Sequence, residues 1–412
     1  MPQRKWWRGP PVAFMMTQDE ASPGTFPPLR PGTGYESSHT RRDSDMDTQN
    51  NRDDCSRRTF VKSAAAVTGA LSHVISGPFI HASDKVGGKP PIVGEGAFRY
   101  ECQHDWGQLP DHIHWFETHG VAIDKSGFVY INHRAGGDKP SSAAVAQDTI
   151  VVFDRDGKFV RSFGKEYHGG GHGIDIREER GQEFLYLSCM MPVNLVLKTD
   201  LKGEVVWKKD RKDLAASHKY DDATARFSPT NIAFAPLGGF YIADGYGSNY
   251  IHQYDPEANW VRTWGGTGEE LGRFKTPHGI WLDDRPGHEP SLVVADRANA
   301  RLQYFTLDGK PIKVVNGVSF PAHFDIRGDV LLVPDLHARV TLMDKDNQVI
   351  THLGYNAEWT KKVLDGFKVR SRPESWEPGR FVHPHDACFD HDGNIFVAEW
   401  VATGRISKLK KV

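Results

Sequence analysis

Thiol pairs are what this sequence most plainly lacks. Its four cysteines, Cys55, Cys102, Cys189 and Cys388, lie far apart with no CxxC spacing, which excludes a thiolate zinc cluster and a dense disulfide scaffold. An excess of one charge is missing too. Lys and Arg number 51 against 53 Asp and Glu, a net charge of −2, so there is no basic footprint and nucleic acid is excluded as the main partner. Long apolar runs are absent: the weakly hydrophobic stretch from Ser63 to Ile80 is broken by Gly69, His73, Gly77 and Pro78. A membrane span needs about 20 apolar residues in a row, so no stable membrane anchor is expected. From residue 95 onward sustained 3.6-residue periodicity is lacking as well, and helices should be few.

What is present begins with an N-terminal pattern. Residues 1–55 are rich in Pro, Gly, Ser, Asp, Arg and Asn without an apolar period, the composition of a disordered leader. Residues 56–83 then read as a twin-arginine signal: Ser56-Arg57-Arg58-Thr59-Phe60-Val61-Lys62 precedes the weakly hydrophobic stretch, with cleavage expected near Ala82 or Ser83. The expected partner is the twin-arginine export machinery and the expected location periplasmic or secreted. Met46, ten residues before Ser56, is an alternative start that would give the signal an ordinary length.

From residue 95 to 412 short apolar strands recur between Gly, Asp and Asn turns. Six first strands align, starting at Gly120 (GVAIDKSGFVYI), Gly173, Asn231, Gly279, Phe324 and Asp386, with spacings of 53, 58, 48, 45 and 62 residues. Repeats of roughly 40–50 residues with about four strands each mark a β-propeller, here all-β and six-bladed. The last copy has room for three strands, so the N-terminal segment Phe98–Gln103 (FRYECQ) is expected to close the ring in the last blade and cover an open edge.

The residue just before each first strand is His119, His172, Thr230, His278, His323 and His385. Inner strands of a propeller line its channel, so these positions form one ring about the axis. Blades 2, 4 and 6 then present His172, His278 and His385 about 120° apart, a three-imidazole set suited to Zn2+ with a fourth position for water or substrate. The alternate set has two imidazoles and the Thr230 hydroxyl and is the poorer site. A single channel histidine is more often a structural hydrogen-bonder; five of six at one position favours a metal. Arg134 in NHRAGG and Tyr246 in ADGYGSNY follow second strands. Read from spacing alone, they are as readily a loop charge and an aromatic plug as a carboxylate clamp and an acid–base group.

ADRANARLQYF (Ala295 to Phe305) resembles the signature of NHL-repeat propellers. FSPTNIAFAP with ADGY, KTPHGI and HPHDACFDHDGNIFVAE resemble, in order and spacing, the peptidyl-α-hydroxyglycine α-amidating lyase family, over about Gly120 to Leu409. The resemblance implies catalytic Zn2+ on His172, His278 and His385, catalytic roles for Arg134 and Tyr246, and a structural Ca2+ held by Val121, Ile174 and Asp386. It implies a carbon–nitrogen lyase that takes a peptide C-terminus or a small molecule and releases an amide and glyoxylate. Departures from the family pattern are Gly171 for a proline, Gly247 for a cysteine, His383 for a methionine, and an insertion from Asn356 to Arg380. The competing expectations are a non-catalytic NHL propeller that binds a protein or glycan, and a propeller hydrolase such as a lactonase. Cys102 and Cys189 are the pair to examine first for a disulfide.

Overall fold

The computed structural model describes residues 89–136 and 146–412. The leader, the twin-arginine pattern and Cys55 lie outside the described residues, and among these no helix is long and apolar enough to cross a membrane.

Alternating apolar residues, interrupted by turns, fold into six antiparallel sheets. The first blade runs from Thr118–Ile123 through Val129–His133 and Ile150–Phe153 to Phe159–Phe163. Blades two to five begin at Gly171–Glu179, Asn231–Phe234, Pro277–Asp283 and Asp325–Arg327 and have four strands each. The sixth contains Pro384–Phe389, Ile395–Glu399 and Arg405–Lys411. Against its last strand pairs Tyr100–Gln103, with Tyr100 opposite Lys411 and Cys102 opposite Leu409, and Ile92–Val93 lies outside that strand.

Cores sit between blades rather than at one centre. Ile131 and Val151 of blade one meet Phe396 and Ala398 of blade six. Ile150 and Val152 meet Leu185 and Leu187, and corresponding apolar clusters join blades two–three, three–four, four–five and five–six. Each sheet therefore buries both faces, which explains mid-sheet strands such as Ile150–Phe153 and Ser291–Asp296 with every residue buried. Such a fold leaves the channel as the place where polar inner-strand residues converge.

The Asn356–Arg380 insertion holds the helix Ala357–Leu364, capped by the Asn356 side chain on the Trp359 amide. Trp359, Val363 and Val369 pack on Val382 and Val401 of the last blade. Cys102, Cys189 and Cys388 are free thiols. Cys102 and Cys189, the pair to examine first, are therefore not joined. Cys102 is buried between blades five and six and Cys189 between blades one and two, so the packing that buries each thiol also separates them.

Candidate metal centre

Four imidazoles converge in the channel. The rings of His172, His278 and His385 have centroids 4.7–4.9 Å apart, and His119 lies 4.9 Å from His172 and 4.5 Å from His385. Alternate blades thus bring the expected trio together. The set whose ligand atoms all lie within 4.8 Å of one another is His119, His172 and His385, with His119 in place of His278, so His119, from the set expected to be poorer, joins the cluster as a fourth imidazole. Thr230 contributes its backbone: its carbonyl accepts from His172 Nδ1 at 2.8 Å.

The same device orients each ring. His278 Nδ1 meets the Ala322 carbonyl at 2.7 Å, and His385 Nδ1 the His119 carbonyl at 2.8 Å. Each Nδ1 therefore carries the proton and each Nε2 presents a lone pair, the arrangement in which imidazoles ligate metals. His385 Nε2 is buried without a hydrogen-bond partner. Burial drives the pKa of His172 down to about 3 and those of His119, His278 and His385 well below the usual range, with nearby Arg297, Arg134 or neighbouring imidazoles adding to the effect. Neutral, preoriented nitrogens without sulfur fit Zn2+.

Tyr246 stands beside this cluster. Its hydroxyl lies 3.3 Å from His172 Nε2 and 3.0 Å from His278 Nε2. The turn that places it is built on Asp244, whose carboxylate accepts from the amides of Ser228 and Ser248 at 2.6 and 2.7 Å and from the Tyr220 hydroxyl at 2.7 Å. Gly247 follows because a Cβ there would come within 2.0 Å of Asp244 Oδ1. Gly171 is equally constrained: a Cβ would lie 2.2 Å from the His133 carbonyl oxygen, where blade two approaches blade one.

Arg134 is buried, donating to the Gly169 carbonyl at 3.2 Å and to Glu117 at 3.1 Å. Arg370, from the insertion, binds the other Glu117 oxygen and stacks on Trp400 with its guanidinium carbon 3.7 Å from the ring centroid. His383 lies 5.1 Å from Phe367 and 5.5 Å from Trp400, so the insertion helps build the wall at this histidine.

Arg297 was not singled out in the sequence. Its Nη1 donates to the Tyr246 hydroxyl at 3.2 Å, and its guanidinium lies over the Tyr246 and Phe320 rings at 5.2 and 5.0 Å. A signal existed: Arg297 directly follows the second strand of blade four, as Arg134 follows that of blade one.

His323 departs from the imidazole cluster. Its Nε2 faces Asp175 Oδ1 at 3.6 Å and Asp386 Oδ1 at 4.0 Å. Asp386 accepts from the amides of Val121 at 2.9 Å and Ala387 at 2.8 Å, while Val121 and Ile174 are buried. The carboxylate of the set Val121, Ile174 and Asp386, to which the resemblance assigns calcium, thus faces the His323 imidazole at 4.0 Å.

Comparison with known proteins bears on this geometry. Peptidylglycine α-amidating monooxygenase of Rattus norvegicus is 28% identical over 327 residues, covering 74% of this chain and 31% of that protein. Peptidyl-α-hydroxyglycine α-amidating lyase 1 of Drosophila melanogaster is 24% identical over 315 residues, covering 68% of this chain and 54% of that one. A probable lyase of the same name from Caenorhabditis elegans is 25% identical over 205 residues, covering 46% and 55%. The chain is homologous to the amidating lyases. It spans about a third of the length of the monooxygenases it matches. No family model matches it. Among solved structures, a gluconolactonase from Xanthomonas campestris gives a TM-score of 0.51 at 12% identity over 78% of this chain and 96% of that one. That likeness shows the propeller fold alone.

Proposed function

We propose that this amidating-lyase homologue is an exported zinc lyase that cleaves the C–N bond of a peptidyl-α-hydroxyglycine-like carbinolamide, giving an amide and glyoxylate. The observation that carries the reading is the convergence of the His172, His278 and His385 rings beside the Tyr246 hydroxyl, which lies 3.0 Å from His278 Nε2 and 3.2 Å from Arg297 Nη1. His172, His278 and His385 would hold the zinc, with His119 packed against two of them. Bound there, zinc would polarise the substrate's oxygens and favour loss of the hydroxyl proton.

The chain's own residues would do the rest. Tyr246, as phenolate, takes the substrate hydroxyl proton; the oxygen's electron pair closes the aldehyde C=O, and the C–N pair leaves on nitrogen. Tyr246 then returns the proton to that nitrogen, completing the amide. Arg297 faces the Tyr246 oxygen and would stabilise charge on it. Arg134, held by Glu117 at 3.1 Å, would orient the substrate carboxylate, and Arg370 shares the same anchor. The twin-arginine pattern supports export to the periplasm or cell exterior.

Tyr246→Phe tests the assignment. Zinc content should stay unchanged while glyoxylate release from a small α-hydroxyglycine amide falls by about 10²–10⁴, the range for a lost acid–base group. Full turnover in that variant would remove Tyr246 from the mechanism.

A further inference from the structure

Arg370 belongs to the insertion, yet its side chain ends beside blade one, on a residue 253 positions away in sequence. Its Nη2 donates to one oxygen of Glu117, and Arg134 Nη1 donates to the other at 3.1 Å. The side chains of Arg370, Glu117 and Arg134 are 16%, 7% and 10% exposed, so solvent and salt screen these charges little. Glu117 also holds Arg134 through the backbone, its carbonyl accepting from the Arg134 amide at 3.2 Å. A further bond, from Arg134 Nε to the Gly169 carbonyl at 3.2 Å, fixes another edge of that guanidinium.

Arg370 is itself seated from several sides. Its guanidinium carbon lies 3.7 Å from the Trp400 ring centroid, and its carbonyl accepts from the Ala402 amide at 3.0 Å. The preceding residue, Val369, is buried with Val382 and Val401, and its carbonyl accepts from Trp376 Nε1 at 2.8 Å. A planar guanidinium stacked and anchored in this way is a fixed point rather than a solvated surface charge. Arg370 Nε is buried without a hydrogen-bond partner, so one donor goes unused while Nη2 is placed on Glu117.

The consequence falls on Arg134. A carboxylate and a guanidinium left to themselves commonly pair through two parallel bonds. Arg370 occupies Glu117 Oε1 and leaves Oε2 to Arg134, so that fork does not form and the Arg134 guanidinium keeps the plane set by Glu117 and Gly169. We propose that Arg370 is a positioning residue that, by dividing Glu117 in this way, aims Arg134 at the carboxylate of the substrate. The inference rests on the lyase reading and deepens it: recognition of an anionic C-terminus depends on the insertion. Without Arg370, Glu117 turns both oxygens onto Arg134 and draws it away from the substrate.

The test uses the whole protein loaded with zinc and compares N-benzoyl-α-hydroxyglycine with its methyl ester, both of which release benzamide. In Arg370→Ala, KM for the acid should rise about 10–100-fold, the scale of a group misplaced by about 1 Å. Its kcat should be nearly unchanged, the mark of lost binding rather than lost chemistry. KM for the ester should stay within about twofold of the wild type, because the ester offers Arg134 no carboxylate. Arg370→Lys keeps the charge but neither the planar fork nor the stack, and should raise KM for the acid alone by at least ~3-fold; it decides the matter if Arg370→Ala fails to fold. Equal changes for acid and ester would reveal a structural prop and overturn the proposal, as would no change for either. Absence of benzamide release in the wild type is failure of the lyase reading by itself. Calorimetric binding of the unreactive N-benzoylglycine and its methyl ester then makes the same comparison. Loss of the acid's advantage in Arg370→Ala supports the positioning role, and absence of that advantage in the wild type overturns it.

Discussion

His172 and His323 hold equivalent places in their blades and are both buried, but their surroundings push them in opposite directions. Around His172 are other imidazoles, Arg297 and Arg134, and burial holds its pKa down at about 3. Around His323 are Asp386, Asp175 and Asp325, which overcome its burial and raise its pKa to about 9. Repetition of the blade thus fixes where a side chain starts, while its neighbours decide whether it becomes a neutral ligand or a cation. The channel carries both outcomes, an imidazole cluster and a carboxylate cluster.

The largest expected effect separates these clusters. His385→Ala removes the imidazole whose Nε2 is buried without a partner. It should lower zinc content to well below one per chain and cut glyoxylate release by about 10³-fold, roughly 4 kcal/mol of barrier. Metal analysis and initial rates check both, and an unaffected variant would break the distinction between the clusters.

A pH series on chelator-treated protein sharpens it. His172 has a folded pKa near 3 against about 6.5 unfolded. The unfolded chain then binds more protons between those values, and stability falls as pH drops through that window, by roughly 2–3 kcal/mol at pH 4.5. His323, near 9 in the folded protein, acts oppositely: its stabilisation is complete below about 6.5 and is lost as pH rises through 9. Urea midpoints should therefore peak near neutrality, and His323→Gln should flatten the alkaline limb alone.

Much of this was legible in the sequence. Recurrent first strands gave the six blades, and the shared position before each strand gave His172, His278 and His385. Less legible was the direction of each side chain. His119 and His323 belong to one set by spacing, but His119 lies 4.5 Å from His385 by ring centroid whereas His323 turns toward Asp175. Contacts across large sequence separations, such as Arg297 with Tyr246 and Arg370 with Glu117, carry no local signal until the ring is assembled. The separation of Cys102 and Cys189 was illegible for the same reason, because sequence spacing does not say which inter-blade core buries each thiol.

The smallest expected effect lies outside the channel. Lys125 and Glu178 form an ion pair with side chains 61% and 41% exposed. Lys125→Ala should change stability by no more than about 0.5 kcal/mol in urea unfolding, which would confirm that charge matters here chiefly where water is excluded.

X-ray absorption at the zinc edge reads the metal's ligands directly. With one zinc per chain, the expected spectrum shows a first shell of nitrogen and oxygen at about 2.0–2.1 Å, no sulfur, and the outer-shell scattering of three imidazoles. A shell dominated by carboxylate oxygen, or a spectrum unchanged by His278→Ala, would contradict it.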